Sequence, residues 1–105
     1  MPKSLSLIEI RITAPDSEVA ERICRLLVDE GLAACVQEVP ITSTYVWNGA
    51  VERSTEILLL AKTTAESFDA VCAAVTAVHP YEVPEILAVP ASAALDAYAT
   101  WVKES

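Results

Sequence analysis

The sequence predicts an α+β chain, an antiparallel sheet with its long helices on one face. Three observations carry that expectation. An alternating strand runs into an amphipathic helix near the start, a second strand–helix–strand succession fills the later half, and Asn48-Gly49 stands between two β-rich runs as a tight hairpin signal. Two βαβ halves within 105 residues, followed by a closing helix, make the order βαββαβα. That order is the ferredoxin-like arrangement, which leaves one sheet face uncovered by the two long helices.

Leu5 to Ala14 alternates, with Ile8, Ile10 and Ile12 on one face and Glu9, Arg11 and Thr13 on the other, the period of a strand. Pro15-Asp16 ends it. Val19, Ile23, Leu26 and Leu27 recur at helical spacing, Asp16 is placed to cap, and Gly31 follows the last turn, so the spacing predicts a helix over about residues 16 to 30. Leu32 to Trp47 and Val51 to Thr63 read as the paired strands on either side of Asn48-Gly49. Fully extended, residues 32 to 47 span about 50 Å at ~3.3 Å per residue, longer than a domain of this size is wide, so this strand must bend near Pro40 or protrude. Pro40 lacks an N–H for a central ladder and places the strand at an edge. Ile57 to Ala61 is apolar on both faces, as in a central strand. Thr63-Thr64-Ala65-Glu66 fits a capping box, and Phe68, Val71, Cys72, Val75 and Val78 form the stripe of a second helix that stops at His79-Pro80. Glu85 to Pro90 is a short strand, and Leu95, Tyr98, Trp101 and Val102 make the closing helix.

A chain of this length is expected to form one domain over residues 1–105 and to bury roughly 65% of the surface it exposes when unfolded. Its residues are 53% hydrophobic and 21% charged, with a mean hydropathy of +0.40, an apolar surplus that favours self-association. Fifteen acidic against seven basic side chains give a net charge of −8, which repels phosphate backbones and anionic lipid, so neither nucleic acid nor membrane is expected as a partner. The acidic balance also keeps an apolar protein in solution. The stretch from Met1-Pro2-Lys3-Ser4-Leu5 onward is too short and, with Glu9 and Arg11, too charged for a signal-peptide core. No run approaches the ~18 apolar residues of a membrane span, so a soluble, cytoplasmic protein is expected, and Cys24, Cys35 and Cys72, an odd number without CxxC spacing, predict reduced thiols.

Ala34-Cys35-Val36, Tyr45-Val46-Trp47-Asn48-Gly49, Glu56 with Lys62-Thr63, His79-Pro80-Tyr81-Glu82-Val83-Pro84-Glu85, and Tyr98 with Trp101 follow one another in order. By these strings the chain resembles the CutA family of divalent cation tolerance proteins, from Ala14-Pro15-Asp16 nearly to the C-terminus. The resemblance implies a ferredoxin-like homotrimer, similar in build to the P-II signalling proteins and not an enzyme. It also implies a link to tolerance of copper and other divalent cations, and in some relatives binding of copper. The family's copper positions are a cysteine before Thr-Ala-Pro-Asp and a histidine pair before Pro-Tyr. Here Ile12 stands at the cysteine position, Val78 at the first histidine, and His79 at the second.

His79 is accordingly the expected metal contact, with Glu82 or Glu85 assisting, and copper or another divalent cation the expected ion. Its position before Pro80 at a helix C-terminus also has a purely structural reading. Cys72 lies about 10 Å along the helix from His79 at ~1.5 Å rise per residue, too far to share an ion, and all three cysteines sit in apolar runs as small hydrophobes. Two prolines stiffen the HPYEVPE segment. Tyr45, Trp47, Lys62, Tyr81, Glu85 and Trp101 are the candidates for a cleft between subunits. Glu56 and Lys62 are expected to pair across the sheet, most simply with Arg11 and Glu9. One histidine, no serine elbow and 2 glycines leave no nucleophile–base pair and no phosphate-cradling loop. A trimeric signalling or interaction scaffold holding a small molecule or a protein partner at that cleft is the alternative to a copper-binding role.

Overall fold

The computed structural model describes residues 6–105; the expected strand start at Leu5 and the Met1–Leu5 segment lie outside them. Strand β1 (Leu7–Ala14) leads into helix α1 (Ser17–Asp29), and strands β2 (Cys35–Trp47) and β3 (Ala50–Thr64) form the hairpin. Helix α2 (Phe68–Val78), strand β4 (Ile86–Pro90) and helix α3 (Asp96–Glu104) complete the chain. All strand pairs are antiparallel in the order β2-β3-β1-β4, so the fold is the ferredoxin-like α+β sandwich with an added C-terminal helix.

Local signals set most boundaries. The Asp16 side chain accepts the Val19 N–H at 2.9 Å, which caps α1. At the other end Gly31, at φ 70°, donates to the Val28 carbonyl while Leu32 donates to that of Leu27, the Schellman pattern that satisfies the last carbonyls. Asn48 at φ 51° and Gly49 at φ 80° turn the hairpin, with Trp47 paired to Ala50. The expected capping box is not formed. Thr63 belongs to β3 and its hydroxyl donates to the Leu32 carbonyl at 2.7 Å, Thr64 makes no side-chain cap, and a short 3₁₀ turn over Ala65–Ser67 delays α2 to Phe68.

Ile8, Ile10, Ile12 and Ala14 of β1 meet Val19, Ala20, Ile23 and Leu27 of α1 and Val71 and Val75 of α2, with Leu59 and Ala61 of β3 in the same core. Leu7 stands on the other face, where it packs with Ala99 and Val102, so α3 covers one end of the face that α1 and α2 leave open. Elsewhere that face leaves Arg11, Val39 and Leu87 exposed.

Pro40 sits in edge strand β2 without breaking it: pairing with β3 runs unbroken from Cys35↔Lys62 to Trp47↔Ala50. The register of β3 with β1 ends at Ala14↔Ile57. Beyond that point β2 and β3 continue alone as a two-stranded arm, which makes the molecule 45 × 26 × 22 Å. Of the two outcomes open to a strand this long, it protrudes.

Candidate functional site

The arm leaves the sheet where β1 ends, and the segment after α2 folds back against its base. Pro80 cannot continue the helix, and His79 before it is extended, at φ −77° and ψ 134°. The His79 ring is buried. Its Nε2 lies 2.7 Å from the Thr13 carbonyl, which can only accept, so Nε2 carries the hydrogen; Nδ1 accepts the Tyr81 N–H at 3.1 Å. The imidazole is thus held as one neutral tautomer with both nitrogens engaged, and its ring centroid lies 4.7 Å from that of Tyr81.

Tyr81 extends the chain of contacts by donating its hydroxyl to Glu56 Oε2 at 2.7 Å. Glu56 is only 7% exposed. Burial pushes the Tyr81 phenol above its ordinary ionisation range, and the bond to Glu56 pushes it further. The line from Thr13 through His79 and Tyr81 to Glu56 joins β1, the HPYEVPE segment and β3, and it fixes that segment as a wall facing the arm.

A cavity of about 710 Å³ lies between wall and arm. Tyr45 and Trp47 line it from β2, Tyr81, Glu82 and Glu85 from the wall, and Glu56 from β3. Thr13 and Ser43 contribute hydroxyl-bearing side chains. The hairpin register explains the arrangement: Ile41 pairs with Glu56, so Ser43, Tyr45 and Trp47 share a face with Glu56 at two-residue steps. Tyr45 is steadied by Ser54, with the two hydroxyl oxygens 3.3 Å apart.

Four of the expected cleft residues therefore meet: Tyr45, Trp47, Tyr81 and Glu85. Lys62 does not line the cavity; it bonds Glu9, which also accepts from Arg11 at 3.1 Å, at the other end of the paired region. Trp101 lies on α3 beside Tyr98, ring centroids 5.9 Å apart. The pairing expected between Glu56 and Arg11 is not formed, because β1–β3 register sets Arg11 opposite Leu60. Reading charges alone missed the phenol as the partner of Glu56. The placement of Glu56 beside the tyrosine strand was available by counting back from Asn48-Gly49.

The donor set does not fit a copper centre within one chain. Copper or zinc takes two to four ligands arranged around the ion. His79 has no free nitrogen, Ile12 is fully buried hydrocarbon in the core, and Val78 packs against the same core. Cys24 lies partly buried with its thiol directed at Glu38 Oε2, 3.7 Å away; desolvation and that carboxylate push its pKa up to about 12. Burial raises the Cys72 thiol as well. Among the described residues no group of three or more His, Cys, Asp and Glu is arranged to hold a metal ion.

Fold and site together define a ferredoxin-like α+β protein with an aromatic, acidic cavity at the base of a protruding hairpin. The chain belongs to the CutA1 divalent ion tolerance protein family, whose family model matches residues 8–105. It is 46% identical over 97 residues to the divalent-cation tolerance protein CutA of Thermus thermophilus, covering 91% of this chain and 94% of that protein. It is 40% identical to the human Protein CutA over 94 residues, 89% of this chain and 52% of the human protein, so it spans about half the length of that relative. The solved structure of the periplasmic divalent cation tolerance protein CutA from Archaeoglobus fulgidus superposes with a TM-score of 0.92 at 41% identity, covering 93% of this chain and 96% of that one. No helix among the described residues is long and apolar enough to cross a membrane.

Proposed function

We propose that this divalent cation tolerance protein works as a non-catalytic homotrimer in the cytoplasm, and that its binding seat is the cavity between the hairpin arm and the HPYEVPE segment. The hydrogen-bonded line Thr13–His79–Tyr81–Glu56 carries the reading, because it spends the only histidine on positioning a wall and leaves the aromatic and carboxylate side chains facing the cavity. Self-association is supported by large apolar side chains left open on the arm, Val46 at 70% and Val51 at 74% exposed, which pair on the face turned away from the cavity. Three cysteines, an odd number without CxxC spacing, support a reducing compartment.

Direct binding of copper or another divalent cation is the second reading, favoured by Glu82 and Glu85 on one rim of the cavity. It needs ligands from more than one subunit. Light scattering tests the assembly: a mass three times the 11.3 kDa of the chain is expected, and a monomer mass contradicts the proposal. Replacing Val46 and Val51 together by serine is expected to lower the assembled fraction on dilution.

A further inference from the structure

We propose that the cavity at the base of the arm takes a small organic ammonium ion, packed against the rings of Tyr45, Trp47 and Tyr81 and neutralised by Glu56, Glu82 and Glu85. This deepens the reading of the cavity as the binding seat and rests on it. The space, about 710 Å³, is of the size that holds a small molecule. Its walls supply three aromatic rings and three carboxyl groups, and among the described residues no Lys, Arg or His lines it. Rings with carboxylates are the surroundings in which an alkylated ammonium gains both cation–π and Coulomb attraction.

Glu56 points to the charge of the occupant. It is more than nine-tenths buried and lines the cavity, and among the described residues its hydrogen-bond donor is the neutral phenol of Tyr81. The two cations of the same sheet face, Arg11 and Lys62, are both engaged with Glu9. A buried carboxylate without a cation is costly, and a cationic ligand would supply the missing charge. An anion would meet three carboxyl groups, while a neutral ligand would bury Glu56 further without compensation. A bare metal ion is the poorer match, because rings offer it no ligand atoms and the described residues form no three-donor group. The net charge of −8 draws cations toward the surface in the first place.

Titration of the assembled protein with choline chloride tests this, against sodium chloride at equal ionic strength and against 3,3-dimethylbutan-1-ol, the uncharged isostere of choline. The readout is the indole N–H resonance of Trp47, with that of Trp101 on α3 as the internal reference. Choline is expected to move Trp47 and leave Trp101 in place, with the isostere binding about tenfold more weakly. Glu56→Gln is expected to weaken choline about tenfold, and the exposed rim pair Glu82→Gln with Glu85→Gln, which leaves the buried line intact, by several-fold. An isostere that binds as tightly as choline overturns the ammonium assignment and leaves the cavity standing as a binding seat. If neither probe moves Trp47, both the assignment and the seat fall.

Discussion

Tyr81→Phe removes one oxygen and keeps the ring, so it isolates the bond that ties the HPYEVPE wall to the sheet. The wild-type hydroxyl donates to Glu56 Oε2 at 2.7 Å, and Glu56 is 7% exposed, so water cannot fully replace the lost donor. Hydrogen bonds to charged groups contribute roughly 1.5–3 kcal/mol, and leaving a buried partner unsatisfied puts the loss near the upper part of that range, about 2–3 kcal/mol. With a urea slope of ~2 kcal/mol/M, the midpoint should fall by about 1–1.5 M at fixed protein concentration. The phenol also carries a pH signature. Its folded pKa is raised by burial first and the Glu56 bond second, so the stability it contributes is present below the ordinary tyrosine value of ~10 and is lost as pH rises from there through the folded value. Tyr81→Phe should remove that alkaline decline. Glu56→Gln and the double variant complete a cycle, in which a coupling of about 1–2 kcal/mol is expected. A Tyr81→Phe protein within ~0.5 kcal/mol of wild type, or effects that simply add, would refute the assignment of this bond.

On the open face, the Lys62 bond first and the Arg11 bond after it hold the Glu9 carboxyl below its usual range despite partial burial. Its stabilisation is present above the ordinary value of ~4.3 and lost as pH falls through the lowered one, so Glu9→Gln should flatten the acid limb of a stability–pH curve while costing no more than about 1 kcal/mol at neutral pH. Cys24, carried from 9.0 to about 12, should be alkylated about a thousandfold more slowly in the folded chain than in urea at pH 8, in a variant lacking Cys35 and Cys72. Glu38→Gln should recover only part of that rate, since desolvation is the larger cause. Gly49→Ala meets no neighbouring atom but places a side chain at φ 80°, so calorimetry should show a loss of roughly 1–2 kcal/mol from backbone strain alone.

The parts of the fold that were legible in the sequence are those decided by neighbours in the chain. Asp16 and Gly31 bound a helix through contacts within a few residues, Asn48-Gly49 sets the register of both hairpin strands, and Pro40 keeps β2 at an edge. Alternation in β1 likewise shows which face enters the core, because each side chain's face follows from strand geometry. The candidate residues were nameable from the sequence, but their arrangement was not. The strings named six residues for a cleft between subunits, of which Tyr45, Trp47, Tyr81 and Glu85 line one cavity within the chain while Lys62 and Trp101 do not; His79 finds Thr13 across 66 positions and Tyr81 finds Glu56 across 25, contacts that depend on where the segment after α2 comes to rest. Thr63 misled for the same reason: a carbonyl at Leu32, 31 positions away, takes the hydroxyl that the local pattern assigns to a helix cap. The pairing of charges across the sheet followed register, which placed Lys62 opposite Glu9 and left Glu56 beyond the end of β1.

A copper titration of the reduced protein against a competing chelator, run beside His79→Ala, bears most directly on the seat of binding. With both ring nitrogens of His79 engaged inside the chain, any copper bound should be weak and unchanged in stoichiometry by the substitution, while His79→Ala should lower the unfolding midpoint through loss of the Thr13 and Tyr81 contacts. Tight, stoichiometric copper binding that disappears in His79→Ala would contradict the assignment of His79 to the wall and place a metal centre at the HPYEVPE segment instead.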